Sequence, residues 1–304
     1  MKRMVRSIFI ILIATLMLLT IGCTSTKVEG SGQNIIEAGN VSALLNENHA
    51  VLVDMQSAEE YATAHIKGAV NIKREDITIN VPVSNMLVSK TKIEDLLGKS
   101  GIGNDTTVII YDNTNNMDAA RLWWTLKVYG HENVKVVSGG YKALKNAGLE
   151  VTSDVPGIME TTYAAKDKNT DMIATIEDVK AQVNDPSKDV VLLDTRTEEE
   201  FNEGTIPGSI LLDYIQNNYK DGTYKSIENI KIQYIEKGIT PEKTTILYCK
   251  TSIRGAQTYL ALYNAGYRNL KLYDGAWVEW SANPSLPVQR PEGLKVESNQ
   301  QDNS

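Results

Sequence analysis

Residues 244–255 read TTILYCKTSIRG. Thr245 to Tyr248 form an apolar, β-branched run as long as a short buried strand, and from Ala256 onward the apolar spacing becomes helical. Cys249 therefore stands where a strand stops and a helix begins. In an open α/β sheet that is the carboxyl edge, where ligands bind, and the N–H groups of the following turn and helix can cradle an anion. Lys250 and Arg254 place two cations in the same loop, and positive charge beside a cysteine favours the nucleophilic thiolate. A lone cysteine at a strand end is ordinarily a small buried hydrophobe. Here the flanking cations decide for a reactive one.

The pattern occurs once before. TTVIIYDNTNNM at 106–117 repeats the strand and turn with Asp112 in place of Cys249, 137 residues earlier. VVLLDTRTEEEFNEGTIPGSILL (190–212) likewise repeats VLVDMQSAEEYATAHIKGAVNI (51–72), setting Asp194 on Asp54 at a separation of 140, and Gly275 falls on Gly139 at 136. Each copy alternates strands with helices, the signature of a parallel sheet covered on both faces. An internal repeat of this length constrains the fold more than local propensity does. The expectation is an α/β chain of two tandem domains, 35–155 and 173–291, each a parallel sheet with helices on both faces. Residues 156–172, mixing Pro, Gly and charge, read as the connector, and the polar stretch 292–304 reads as a disordered tail.

With 304 residues, 42% hydrophobic and 23% charged, the chain has the material for two globular domains. Its first 22 residues stand apart: Lys2, Arg3 and Arg6 precede an apolar run from Ser7 to Ile21, the form of a secretory signal peptide. The run is shorter than the ~20 residues that span a bilayer comfortably. T-I-G-C at 20–23 is similar to a bacterial lipobox, which implies cleavage before Cys23 and lipid on that cysteine. The expected location is extracytoplasmic, lipid-anchored to the cell membrane, with secretion as the alternative. Residues 23–34 read as a tether. Beyond residue 22 the chain carries 28 Lys plus Arg against 38 Asp plus Glu, which argues against nucleic acid as a partner. Cys23 belongs to the export signal and Cys249 to the loop, so no disulfide framework is expected. His49, His65 and His131 lack metal-ligand spacing, and no metal site is expected.

Taken together these residues resemble the tandem rhodanese-domain sulfurtransferases, the thiosulfate and 3-mercaptopyruvate sulfurtransferase family. The resemblance is carried by D-T-R at 194–196, an E-E-F helix, T-I-P-G-S at 205–209, the loop C-K-T-S-I-R at 249–254 and Y-D-G-A-W at 273–277, and it covers nearly the whole chain beyond the export signal. It implies that only the second domain is catalytic and that the first, with Asp112 for the cysteine and Gln56 for the D-x-R arginine, covers the active site. It also implies Cys249 as the nucleophile that becomes a persulfide, and a substrate-binding loop of Lys250, Thr251, Ser252, Ile253 and Arg254. Arg196 would either touch substrate or brace the site. The implied partners are a small anionic sulfur donor and a cyanide or thiol acceptor. No cofactor is implied, and a monomer is expected.

Three departures from the family pattern bear on the site. Ser252 stands where glycine is usual, at a position that can require a left-handed backbone. Thr205 replaces a histidine. Glu200 stands where mercaptopyruvate enzymes usually carry a second arginine for the substrate carboxylate, which favours thiosulfate as donor. A 3-mercaptopyruvate sulfurtransferase and a non-catalytic persulfide carrier are the alternatives. Phosphatases and arsenate reductases of related fold use C-x5-R, whereas Cys249 to Arg254 is C-x4-R.

Overall fold

The computed structural model describes residues 32–46 and 49–291; the export signal, Cys23, most of the tether and the C-terminal tail lie outside them. The first domain holds a five-stranded parallel sheet of β1 (Ile35–Ile36), β2 (Ala50–Asp54), β3 (Val70–Asn71), β4 (Thr107–Tyr111) and β5 (Val134–Val137), in the order β1-β5-β4-β2-β3. The second repeats it with β6 (Ile173–Ala174), β7 (Val190–Asp194), β8 (Ile210–Leu211), β9 (Thr244–Tyr248) and β10 (Leu270–Tyr273), in the order β6-β10-β9-β7-β8. Central strands β4 and β9 are buried along nearly their whole length, which is why both read as unbroken apolar runs.

The helices that place the site are α1 (Ala58–Thr63), α2 (Met117–Val128), α3 (Gly140–Asn146), α4 (Glu198–Glu203), α5 (Ile253–Asn264) and α6 (Ala276–Ala282). Helices α1 and α4 open with capping boxes, Ser57 with Glu60 and Thr197 with Glu200, each side chain satisfying the other's orphan N–H. His65–Ile66 pairs antiparallel with Val151–Thr152, and only Val70–Asn71 joins the main sheet. The connector has no regular structure before Thr170 but is tied down: Thr161 N donates to Gly98 O, Lys166 N to Tyr129 O, and Tyr163 and Ala165 are buried.

Three cores result. One lies behind each sheet, around Leu52, Ile109 and Leu144 in the first domain and Leu192, Ile246 and Trp280 in the second. The third runs through both domains without a break, and α2 and α5 meet in it. Trp123 of α2 is fully buried, with ring centroids 6.2 Å from Tyr259 and 5.3 Å from Tyr263 of α5. Burying a side chain of that size is worth about 1.5–3 kcal/mol. The domains thus share a core rather than a linker, and α2 and α5 are the helices that follow the Asp112 and Cys249 loops.

Candidate active site

Cys249 follows β9 directly, 1% exposed and unpaired with any other cysteine. Its carbonyl accepts from Trp277 N at 2.9 Å and that of Lys250 from Val278 N at 3.2 Å, so the start of α6 pins the loop. Ser252 takes φ 65° and ψ −8°, the left-handed conformation that its place in the loop predicts. Helix α5 then begins at Ile253, three residues earlier than the apolar spacing indicates. The polar Arg254 and side-chain-free Gly255 hide its first turn from a periodicity reading. A Cβ on Gly255 would come 2.8 Å from Leu272 Cδ1, so glycine lets the helix start tight against the sheet. The predicted loop residues thus come together, with Lys250 exposed, Thr251 half-buried, Ser252 and Ile253 buried, and Arg254 in the first helical turn.

Arg254 is not an open cation. Its Nη1 and Nη2 hold the Glu200 carboxylate at 2.5 and 2.8 Å, and Cys249 lies near enough to act on its charge. Burial works against the Arg254 charge, but the hydrogen bonds and charge of Glu200 and the electrostatic pull of Cys249 outweigh it and hold the group more firmly protonated than usual. On Glu200, burial pushes the carboxyl up, and the Arg254 and Thr197 hydrogen bonds with the Arg254 charge bring it down to about 2. Glu200 thus has two tasks: it caps α4 and pairs with the loop's arginine.

Arg196 is taken up by contacts beside the loop. Its Nε and Nη2 lie 2.6–3.1 Å from the Asp194 carboxylate, Nη2 also donates to Gly204 O at 2.7 Å, and the guanidinium stacks 4.4 Å over the Trp277 ring. The side chain is 2% exposed. Of the two roles the resemblance allows, these contacts are those of a brace. Thr205 joins the same network, donating to Asp194 Oδ2 at 2.9 Å and sharing a hydrogen bond with Tyr248 Oη at 2.7 Å. Cys23 lies outside the described residues. Among the described residues no cluster of His, Cys, Asp or Glu could hold a metal ion, and no helix is long and apolar enough to cross a membrane.

The first copy shows what such a loop binds. Asp112 is buried at the end of β4, and its carboxylate accepts four backbone N–H groups: Thr114 and Asn116 on Oδ1 at 3.0 and 2.9 Å, Asp118 and Ala119 on Oδ2 at 2.9 and 3.0 Å. Burial and the Asp118 charge raise this carboxyl, and the N–H donors oppose the rise. Asn116, like Ser252, is left-handed and precedes its helix. The change in repeat separation from 137 to 136 falls inside this loop, which has one more residue in the first domain. Asp118 and Ala119 are second and third in α2, as Arg254 and Gly255 are in α5. Such first-turn N–H groups have no intrahelical acceptor.

Each domain also covers the other's loop. Asn85 Nδ2 donates to Thr251 Oγ1 at 3.1 Å, Arg121 Nη1 to Ser252 Oγ at 2.9 Å, and Leu87 N to Asp274 Oδ2 at 2.7 Å. Reciprocally, Asn116 Nδ2 donates to Gly222 O at 3.0 Å and Tyr224 N to Ser138 Oγ at 2.9 Å. Sequence reasoning missed Asn85, Arg121 and Asp274. The one local signal for them was serine where glycine is usual at 252.

A family model described as "Rhodanese-like domain" matches residues 37–147 and 175–283. Two proteins named "Putative thiosulfate sulfurtransferase" are each 32% identical to the chain. The one from Haloferax volcanii matches over 256 residues (79% of this chain, 88% of that protein), and the one from Saccharopolyspora erythraea over 266 (82% and 93%). "Sulfur carrier protein TtuD" from Thermus thermophilus is 29% identical over 250 residues, 76% of this chain and 87% of that one. The crystal structure of YnjE superposes with a TM-score of 0.77 at 23% identity, covering 86% of this chain and 69% of that one. The wild-type EanB structure gives 0.75 at 22% identity, covering 86% and 70%. At these identities the structural matches speak for the fold alone.

Proposed function

From the premise that this chain belongs to the rhodanese-like family of sulfurtransferases, we propose that it moves sulfane sulfur from thiosulfate to cyanide or a thiol through a persulfide on Cys249. The Cys249 thiolate attacks the outer sulfur of thiosulfate. The new S–S bond takes that sulfur, the old S–S bond breaks with its electron pair leaving on sulfite, and Cys249 carries a persulfide anion. Cyanide then attacks the terminal sulfur, leaves as thiocyanate, and returns the thiolate. No external oxidant or reductant enters.

The observation that carries this reading is the Asp112 carboxylate in its ring of N–H groups. An aspartate oxygen lies as many bonds from its Cα as the terminal sulfur of a cysteine persulfide. The carboxylate of the first domain thus occupies the place that a persulfide on Cys249 would take in the second. Preorganised N–H donors stabilise such charge without reorganising during the reaction. Lys250, exposed at the rim, adds attraction for the dianionic donor and for departing sulfite, while the Arg254 charge is balanced by Glu200.

Two arms of one experiment test the reading. Protein treated with thiosulfate alone gains one sulfur atom on Cys249 by intact mass and peptide mapping. With cyanide present it releases sulfite and thiocyanate over many turnovers. A protein that takes up one equivalent and passes it only to another protein is a sulfur carrier, the second reading, which the similarity to the Thermus protein favours. Faster turnover of 3-mercaptopyruvate than of thiosulfate would overturn the donor assignment.

The reading places the reaction outside the cytoplasm on a protein held to the membrane by lipid at Cys23. The support is the cationic start, the apolar run and the T-I-G-C sequence. Intact mass of protein from its native membrane, with a diacylated Cys23 as its first residue, is the expected result. An unmodified N-terminus elsewhere overturns it.

A further inference from the structure

Arg121 belongs to the domain without a nucleophile, yet its charged end is spent on the loop that has one. The side chain is fully buried, with the guanidinium 4.6 Å from the centre of the Trp124 ring. Nη1 donates to Ser252 Oγ at 2.9 Å, and Nη2 donates to Asn85 O at 2.9 Å and lies 2.8 Å from Asp274 Oδ1. Asp274 accepts from Leu87 N at 2.7 Å and lies 3.2 Å from Ser252 Oγ. A buried ion pair is a costly way to join two domains, because both charges lose their water.

The repeat supplies an internal control. One helix-aligned position apart, at a separation of 136, Arg121 corresponds to Gln257 and Asp274 to Ser138. On that side the contacts are neutral: Gln257 stays within its own domain, bonding Asn217 and Asn218 at 2.9 and 3.0 Å, and the crossing is made by Asn218 Nδ2 to Asn115 O at 3.4 Å, Asn116 Nδ2 to Gly222 O at 3.0 Å and Tyr224 N to Ser138 Oγ at 2.9 Å. Neutral hydrogen bonds therefore suffice to dock one domain on the other. Among the described residues the charged cross-domain pair is found only against the cysteine loop, where it grips the residue that sits at φ 65°. Serine reaches that conformation at a cost that glycine does not meet, and the hydroxyl's bond from Arg121 offsets it.

Resting on the reading of Cys249 as the reactive group, we propose that Arg121, Asp274 and Ser252 form a cross-domain lock that sets the cysteine loop, with Arg121 as a positioning residue. The first domain then takes part in catalysis without touching substrate. Its helix α2 holds Ser252 left-handed, and that turn aims the first N–H groups of α5 at the sulfur. The lock also explains why this chain tolerates serine at a position where glycine alone avoids strain.

The test compares Ser252→Gly, Arg121→Gln paired with Asp274→Asn so that no buried charge is left alone, and the triple variant. Ser252→Gly removes backbone strain, so its fold is expected to survive whatever the charged pair contributes. Two readouts are taken on full-length folded protein. The first is hydrogen exchange of backbone amides in peptides covering 249–256, which needs no turnover. It is expected to quicken about tenfold in each variant, within the range of coupling between contacting groups, with peptides of Ile227–Ile235 unchanged. The second is thiosulfate:cyanide kinetics, where kcat is expected to fall about tenfold and KM to change less than about twofold. The triple variant is expected to match the Arg121/Asp274 variant, since Ser252 acts through that pair. Unchanged loop exchange in folded Ser252→Gly, or effects that simply add, overturns the lock. Wild type that shows the exchange differences but no thiosulfate turnover overturns the donor reading and leaves the lock standing.

Discussion

The Arg254 guanidinium and the Glu200 carboxylate form a two-pronged ion pair, at 2.5 and 2.8 Å, across the mouth of the cysteine loop. The two residues are 54 positions apart in the chain, and the pair leaves Lys250 as the loop's uncompensated cation at the rim.

Glu200→Gln removes the neutralising charge while keeping a side chain that can cap α4. The kcat/KM for thiosulfate is expected to rise about threefold at low ionic strength, and the gain is expected to shrink as salt screens the exposed rim. Glu200→Arg, which would set two guanidinium groups against each other, is expected to lower activity toward thiosulfate and 3-mercaptopyruvate alike. Kinetics with both donors at two salt concentrations check this, and a fall in kcat/KM for Glu200→Gln at low salt would refute it.

The same pair makes the second domain acid-sensitive. Glu200 is held down to about 2 in the fold, against about 4.3 for an unfolded glutamate. A depressed carboxyl contributes stability that is complete above the unfolded value and lost as pH falls through the folded one. Between about pH 4.5 and pH 2 the wild type is therefore expected to lose urea resistance more steeply than Glu200→Gln. Parallel curves over that interval would sink the assignment.

In the first domain the corresponding shift has the opposite sign. Gln56 stands where Arg196 stands in the second copy, so Asp54 has no guanidinium beside it, and burial pushes its carboxyl up to about 6 against the Tyr111 and Gln56 hydrogen bonds and the pull of His65. A raised folded value means stability present below about 3.8 and lost as pH rises through about 6. Gln56→Arg, restoring the arrangement of Asp194 with Arg196, is expected to stabilise the protein by on the order of 1–3 kcal/mol at pH 7. The gain should vanish below about pH 4. Urea midpoints from pH 4 to pH 8 measure it, and a gain independent of pH would count against the Asp54 explanation.

Asp112→Ala would leave four buried N–H groups without their acceptor, a loss of about 3–5 kcal/mol. The thermal midpoint is expected to drop markedly, while kcat per folded molecule at low temperature stays within about twofold of wild type. Cys249→Ser is expected to do the reverse, with turnover abolished and the midpoint nearly unchanged. Residual sulfite release by folded Cys249→Ser above a small fraction of wild type would remove Cys249 from the chemistry.

The tandem fold and the contrast between Asp112 and Cys249 at matching strand ends are legible in the sequence because their causes are local. Apolar runs of strand length mark β4 and β9, and Ser57 with Glu60 or Thr197 with Glu200 marks a helix start. A nucleophile position is recognised from the residue that occupies it. Even the left-handed turn at Ser252 is visible as a misfit of residue type with backbone. The start of α5 was hidden because its first turn carries an arginine and a glycine instead of an apolar stripe. What the tertiary structure alone decided are the partners of charged groups. Arg254 and Glu200 meet across 54 residues and Arg121 and Ser252 across 131, and no spacing rule encodes such pairings. The energy of a buried guanidinium depends on which acceptors the folded chain brings within hydrogen-bond reach. For that reason Arg196, read from sequence as a brace or a substrate contact, has the contacts of a brace, while Arg121, which nothing in its own stretch of sequence marks, reaches the loop of the other domain.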